Sequence, residues 1–154
     1  MMKKMLLFNE RKSDGKDRLT LKKDLQVRLN LPEGSHLEKQ AQMIGLTTED
    51  LSVIKSLQPL VKEHIGAIAT HFYKTLEQEP SLMEIINTNS SVDRLKKTLA
   101  RHVIQMFSGI IDQTFVEQRY KVAIMHEKVG LEPKWYMCAF QNLQLTLVTL
   151  IEQA

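Results

Sequence analysis

The chain has 154 residues, 43% hydrophobic and 25% charged, enough for one packed core and ordinary for a globular fold. It has neither the uninterrupted apolar run of roughly 18 residues that a membrane span needs nor a signal-peptide pattern, and its single cysteine, Cys138, excludes an intramolecular disulfide and a cysteine-based zinc site; a cytoplasmic protein is expected. The net charge of +3 is concentrated at the start, where the first 28 residues hold nine Lys/Arg against four Asp/Glu, so the body is close to neutral and nothing in it calls for a nucleic-acid partner.

Residues 1–30 mix Lys, Asp, Ser and Gly without a sustained period and predict a flexible basic leader, with Arg18-Leu19-Thr20-Leu21 as a short extended piece. From Pro32 the pattern turns helical: Leu37, Ala41 and Ile44 recur at helical steps before Gly45 stops the run. Thr47 or Thr48 caps a second helix carrying Leu51, Ile54 and Leu57, and Pro59 opens a third or bends the second. Residues 64–73 contain no Asp, Glu, Lys or Arg, so that stretch is expected to be buried on most sides. Pro80 starts a short apolar helix through Ile86 that dissolves into the turn cluster at Asn87–Ser90.

Ser90 or Ser91 caps the next helix, whose stripe is Val92, Leu95, Leu99, Val103 and Met106, and Gly109 and Asp112 mark its end. Residues 114–129 form another helix with the inner stripe Phe115, Val122, His126 and Val129, closed at Gly130. Pro133 starts a last helix that is apolar along most of its length and is expected to be buried. No convincing strand pair or repeat is present, and five or more helices with short connections make the class all-α.

Standard chemical motifs are absent. The chain has no HExxH, no zinc-spaced His/Cys pair, no Asp-rich calcium loop, no GxSxG and no glycine-rich phosphate loop. Of the five histidines, His36, His64, His71, His102 and His126, the last sits on an inner helical stripe between Val122 and Val129. Two accounts of it stand open: a core histidine bonded to a backbone carbonyl, and an axial ligand to haem iron, which needs one imidazole projecting into an apolar pocket. Tyr73, Leu95 and Thr98 form a second group, in which a buried phenol or hydroxyl either bonds within the protein or donates to a ligand on the iron.

The stretch KVAIMHEKVGLEPKWYMCAFQ, Lys121 to Gln141, with HFYKTLEQEPSLMEII and SSVDRLKKTLARH upstream, resembles the sensor globins, the haem domains of globin-coupled sensors, and among them the HemAT-type aerotaxis transducers. The likeness covers about residues 37–154. It implies a globin-like fold over residues 31–154 with an added N-terminal helix at about Pro32–Ile44, a reduced D helix, and an end where the family's G helix ends, with the last helix missing. It further implies a non-covalent haem b with His126 as proximal iron ligand. Tyr73 and Thr98 become distal donors toward dioxygen, or carbon monoxide or nitric oxide, with Phe72 and Leu95 beside them, and Val122 and Val129 flank the ligand histidine. Tyr136 falls at a proximal tyrosine position, and Asn89 stands where members carry a loop histidine near the haem edge. The implied function is a non-enzymatic oxygen-sensing input module of a chemotaxis transducer, homodimeric through its last helices and joined to a downstream signalling domain; the contrasting reading is a haem-free helical interaction module.

Overall fold

The computed structural model describes residues 26–154. Except for residues 26–30, the expected leader lies outside the described residues, as does the extended piece expected at Arg18–Leu21. The described chain runs β1 (Arg28–Asn30), α1 (His36–Met43), α2 (Thr48–Leu76), α3 (Pro80–Asn89), α4 (Val92–Met106), β2 (Ile110–Asp112), α5 (Gln113–Lys128) and α6 (Pro133–Glu152). The fold is helical, but β1 and β2 pair in parallel with Arg28 opposite Ile110 and Asn30 opposite Asp112, which corrects the expectation of no strand pair. Three-residue strands leave no readable period, and their partners are distant in the chain.

Caps fix the helix starts. Ser35 accepts from the Glu38 backbone N–H at 3.1 Å, so α1 begins at His36. Pro32 belongs to the preceding turn, its carbonyl taking the Ser35 N–H, and is not the helical start expected of it. Thr47 caps α2 through a capping box with Asp50. That helix runs unbroken through Pro59, so the third helix expected there is the continuation of the second. A proline removes one backbone hydrogen bond, but Ile54 and Leu57 before it and Val61 and Ile65 after it pack into the same core, which holds the helix together across it.

The uncharged stretch 64–73 is only half covered: Ile68, Ala69 and Tyr73 are buried, while Gly66, Ala67, Thr70 and His71 are exposed. Missing charge marked small and polar residues there as well as buried ones. α3 starts at Pro80 as expected but extends through Asn89, whose side-chain amide donates to the Ile85 carbonyl at 2.8 Å, so the helix continues into the expected turn cluster. The core joins Val61 and Ile68 of α2, Val103 of α4, Phe107 just after it and Leu143 of α6. α2 lies between α4 and α6 as the central helix.

Gly109 (φ +72°) sits where a Cβ would fall 2.9 Å from Lys55 Cβ and 3.1 Å from the Leu51 carbonyl oxygen, so only glycine lets the chain turn this close to α2. α6 exposes much of itself: of its residues only Leu143 is fully buried, whereas Met137 is 62% and Leu145 57% exposed. The expected buried last helix is therefore a half-covered one with an open apolar face.

Asp112 ties the two strands to α5. One carboxylate oxygen accepts from the Phe115 N–H as N-cap, and the other pairs with Arg28. The Phe115 hydrogen bond, with Arg28 beside it, holds this carboxyl below the ordinary aspartate value. A carboxyl depressed in the folded state stabilises the fold above its unfolded value near 3.9, and that contribution disappears as pH falls through the native value. Acid unfolding of Asp112→Asn is accordingly expected to show a shallower pH dependence below about pH 4 than the parent chain, read by helical circular dichroism. An identical slope would show that the carboxylate is not linked to folding.

Candidate functional site

His126 lies in the last turn of α5, between the half-buried Val122 and Val129, as the stripe predicts. The helix ends there because Gly130 adopts φ +74° and the Leu131 N–H returns to the His126 carbonyl. Burial lowers the imidazole's pKa, which favours the neutral ring. Its Nδ1 is buried and makes no hydrogen bond among the described residues. A satisfied core histidine would have spent this nitrogen on a carbonyl.

Tyr136, in the first turn of α6, stands beside it: the ring centroids are 5.3 Å apart, and Tyr136 in turn stacks on Phe140 at 6.4 Å. Pro133 starts α6 just past the Gly130 turn, and this short connection brings the aromatic pair to the histidine. These two of the predicted residues are thus in contact.

The others lie on α2 and α4. Tyr73 is 7% exposed and meets Phe72 edge to face at 5.2 Å. Burial pushes its pKa up to about 12, which keeps the phenol protonated and able to donate at any ordinary pH. Leu95 and Thr98 are half-buried on α4. The Thr98 hydroxyl donates to the Arg94 carbonyl at 3.1 Å, the local back-bond that competes with any ligand role. Asn89 is likewise committed to its own helix.

α5 has no fully buried residue, and its closest backbone packing is on β2. Its inner stripe is therefore only half covered by protein. Side chains bridge it to α4: Gln105 donates to Gln118 and accepts from Arg119. Burial lowers the His102 pKa first, and Arg119, Arg101 and His126 lower it further. Arg119 and His102 were assigned no role from sequence. The available signal was Arg119 itself, a charged residue at helical spacing between Phe115 and His126 on an inner stripe.

Two surface hollows lie elsewhere. One of about 440 Å³ is lined by Leu37, Val116, Tyr120 and Ile124, on the side of α5 opposite His126; one of about 210 Å³ lies among Leu29, Leu31, Ala41 and Leu46. Among the described residues no group of three or more His, Cys, Asp or Glu could hold a metal ion, and no helix is long and apolar enough to cross a membrane. Any metal at His126 would have to bring most of its own ligands. A neutral imidazole with an unspent ring nitrogen, set among Val122, Val129 and Tyr136, fits the axial position of a haem.

The sequence profile of the protoglobin family matches residues 33–154. The chain is 26% identical over 117 residues to the heme-based aerotactic transducer HemAT of Halobacterium salinarum, covering 75% of this chain and 24% of that protein. It is 31% identical over 111 residues to a flavohemoprotein of Oceanobacillus iheyensis, covering 70% of this chain and 27% of that one. It spans about a quarter of the length of these relatives. Among solved structures it is similar to the globin domain of a Geobacter sulfurreducens globin-coupled sensor, with a TM-score of 0.71, 22% identity and coverage of 76% of this chain and 77% of that one.

Proposed function

The chain belongs to the protoglobin family, and on that premise we propose that it is a haem-binding gas-sensor domain serving as the input module of a longer signal transducer. The observation that carries this reading is His126, half-buried on the inner stripe of α5, whose buried Nδ1 has no partner among the described residues and whose pKa burial lowers. The similarity to an aerotactic transducer supports chemotaxis as the output. The domain is a binding module and not a catalyst, cytoplasmic, and takes haem b without covalent attachment, since a lone cysteine cannot build the CxxCH attachment motif.

When bound, haem supplies the iron that takes up a diatomic gas. His126 would hold the iron through its imidazole, and the half-buried Val122 and Val129 on either side of it would limit the access of water. Phe72 and Leu95 would line the space where the gas sits, and Tyr73 would offer it a hydrogen bond. Its protonated phenol is the better placed of the two donors, because the Thr98 hydroxyl already donates its hydrogen bond to the Arg94 backbone carbonyl. A shift of His126 presses on Tyr136 and so reaches α6, whose open apolar face, Met137, Phe140, Leu145 and Val148, is the homodimer surface.

Reconstitution with haem tests the reading. A strong Soret band in the reduced protein that changes on exposure to oxygen, carbon monoxide or nitric oxide is expected; no band at all would favour the haem-free interaction module. Tyr73→Phe is expected to speed oxygen dissociation about tenfold or more, the worth of one hydrogen bond to a partly charged acceptor, measured by stopped-flow. An unchanged rate would remove Tyr73 from ligand stabilisation.

A further inference from the structure

Arg119 is a partly covered cation with no anion beside it among the described residues. It is half-buried on α5, and among the described residues no carboxylate pairs with it: the ion pairs there are Arg28–Asp112 and Lys134–Glu132. Its Nε is buried and unpartnered. Its one hydrogen bond goes to the neutral amide of Gln105, and its guanidinium lies 4.9 Å over the Phe115 ring. These contacts orient the side chain and leave most of its donors and all of its charge uncompensated.

The surroundings deepen the imbalance. His102 on α4 lies within the electrostatic reach of Arg119, Arg101 and His126, and no Asp or Glu acts on it or on Arg119. Burial lowers the Arg119 pKa, with the Tyr136 phenol opposing the shift. A half-buried guanidinium whose Nε finds no acceptor favours an anion beside it, and the described residues supply none. Residue 119 is two turns before His126 on the same face of α5, about 10 Å along the axis. A ligand reaching from His126 along this face would pass Arg119.

We infer that Arg119, oriented by Gln105 and Phe115, is the counter-ion for a carboxylate of the bound porphyrin and holds that edge of the cofactor between α4 and α5. The inference rests on the haem reading above and adds the residue that recognises the acid side chain. A guanidinium suits this role because its planar fork can take both oxygens of a carboxylate.

The test titrates the full apoprotein with iron(III) protoporphyrin IX and, separately, with its dimethyl ester, in which both carboxylates are masked. The parent chain is expected to bind the free acid about tenfold to a hundredfold more tightly than the ester, the worth of one charge-assisted hydrogen bond or a bidentate pair. Arg119→Gln is expected to bring the two affinities together by weakening the acid alone, and Arg119→Lys to keep part of the preference with helical content unchanged. If Arg119→Gln weakens both porphyrins equally, or keeps the parent's preference, Arg119 is a packing residue and the inference fails while the haem reading stands. If the parent chain binds neither porphyrin, the haem reading fails and this inference falls with it.

Discussion

His126→Ala is expected to lower haem affinity by more than about 100-fold. Changes that merely reorient a metal ligand cost about 10- to 100-fold, and removing the ligand itself costs more. The physical ground is the lone imidazole: no group of metal-binding side chains among the described residues could take over its role. Free imidazole, small enough to enter the space left by the deleted ring, is expected to restore the Soret band of the variant in part. Full haem content with an unaltered spectrum and no imidazole in the buffer would overturn the axial assignment. The measurement also separates the two accounts of His126 left open by periodicity, because a core histidine bonded to a carbonyl would on replacement cost stability and leave the spectrum alone.

Phe107→Ala is expected to be the most damaging change outside the site, at about 3–5 kcal/mol. Phe107 is 7% exposed and joins α4 to the shared core of Val61, Ile68, Val103 and Leu143. Deleting its ring leaves a cavity whose walls belong to the three helices α2, α4 and α6, so collapse of any one wall is opposed by the others. Against a typical total of 5–15 kcal/mol, such a loss removes a large fraction of the stability. For a domain of this size it corresponds to a fall of roughly 6–20 °C in the midpoint of thermal unfolding of the haem-free protein. A fall of a degree or two would mean that the core closes over the gap. Phe107→Leu, which keeps most of the volume, is expected to cost well under half as much.

The two variants act at different levels. His126 lies on a helix with no fully buried residue, and Phe107 lies in the core packed around α2. Haem loss without a large stability change in the apoprotein, and stability loss with haem affinity reduced only through unfolding, are the expected opposite signatures.

What the sequence by itself determined was local. The caps read at Thr47 or Thr48 and at Ser90 or Ser91 and the left-handed stops at Gly45 and Gly130 follow from interactions spanning three or four residues; the structure puts the caps at Thr47 and Ser91, and it makes Asp112, read as an end of α4, the cap of α5. The placing of His126 on an inner stripe beside Val122 and Val129 follows from the same short range, and so did the similarity that pointed to the globin class. Tertiary structure decided the rest. Whether Pro59 breaks α2 depended on one core gripping both sides of it, and whether α6 is buried depended on how many of its faces find a partner. The β1–β2 pair joins residues too far apart, and too few, for periodicity to register. Arg119 is the sharpest case: in the sequence it is one of 21 basic residues. Only the packing of α5 beside α4 and α6 leaves it half-buried with no carboxylate beside it among the described residues, because the cost of a charge is set by what surrounds it and not by its place in the chain.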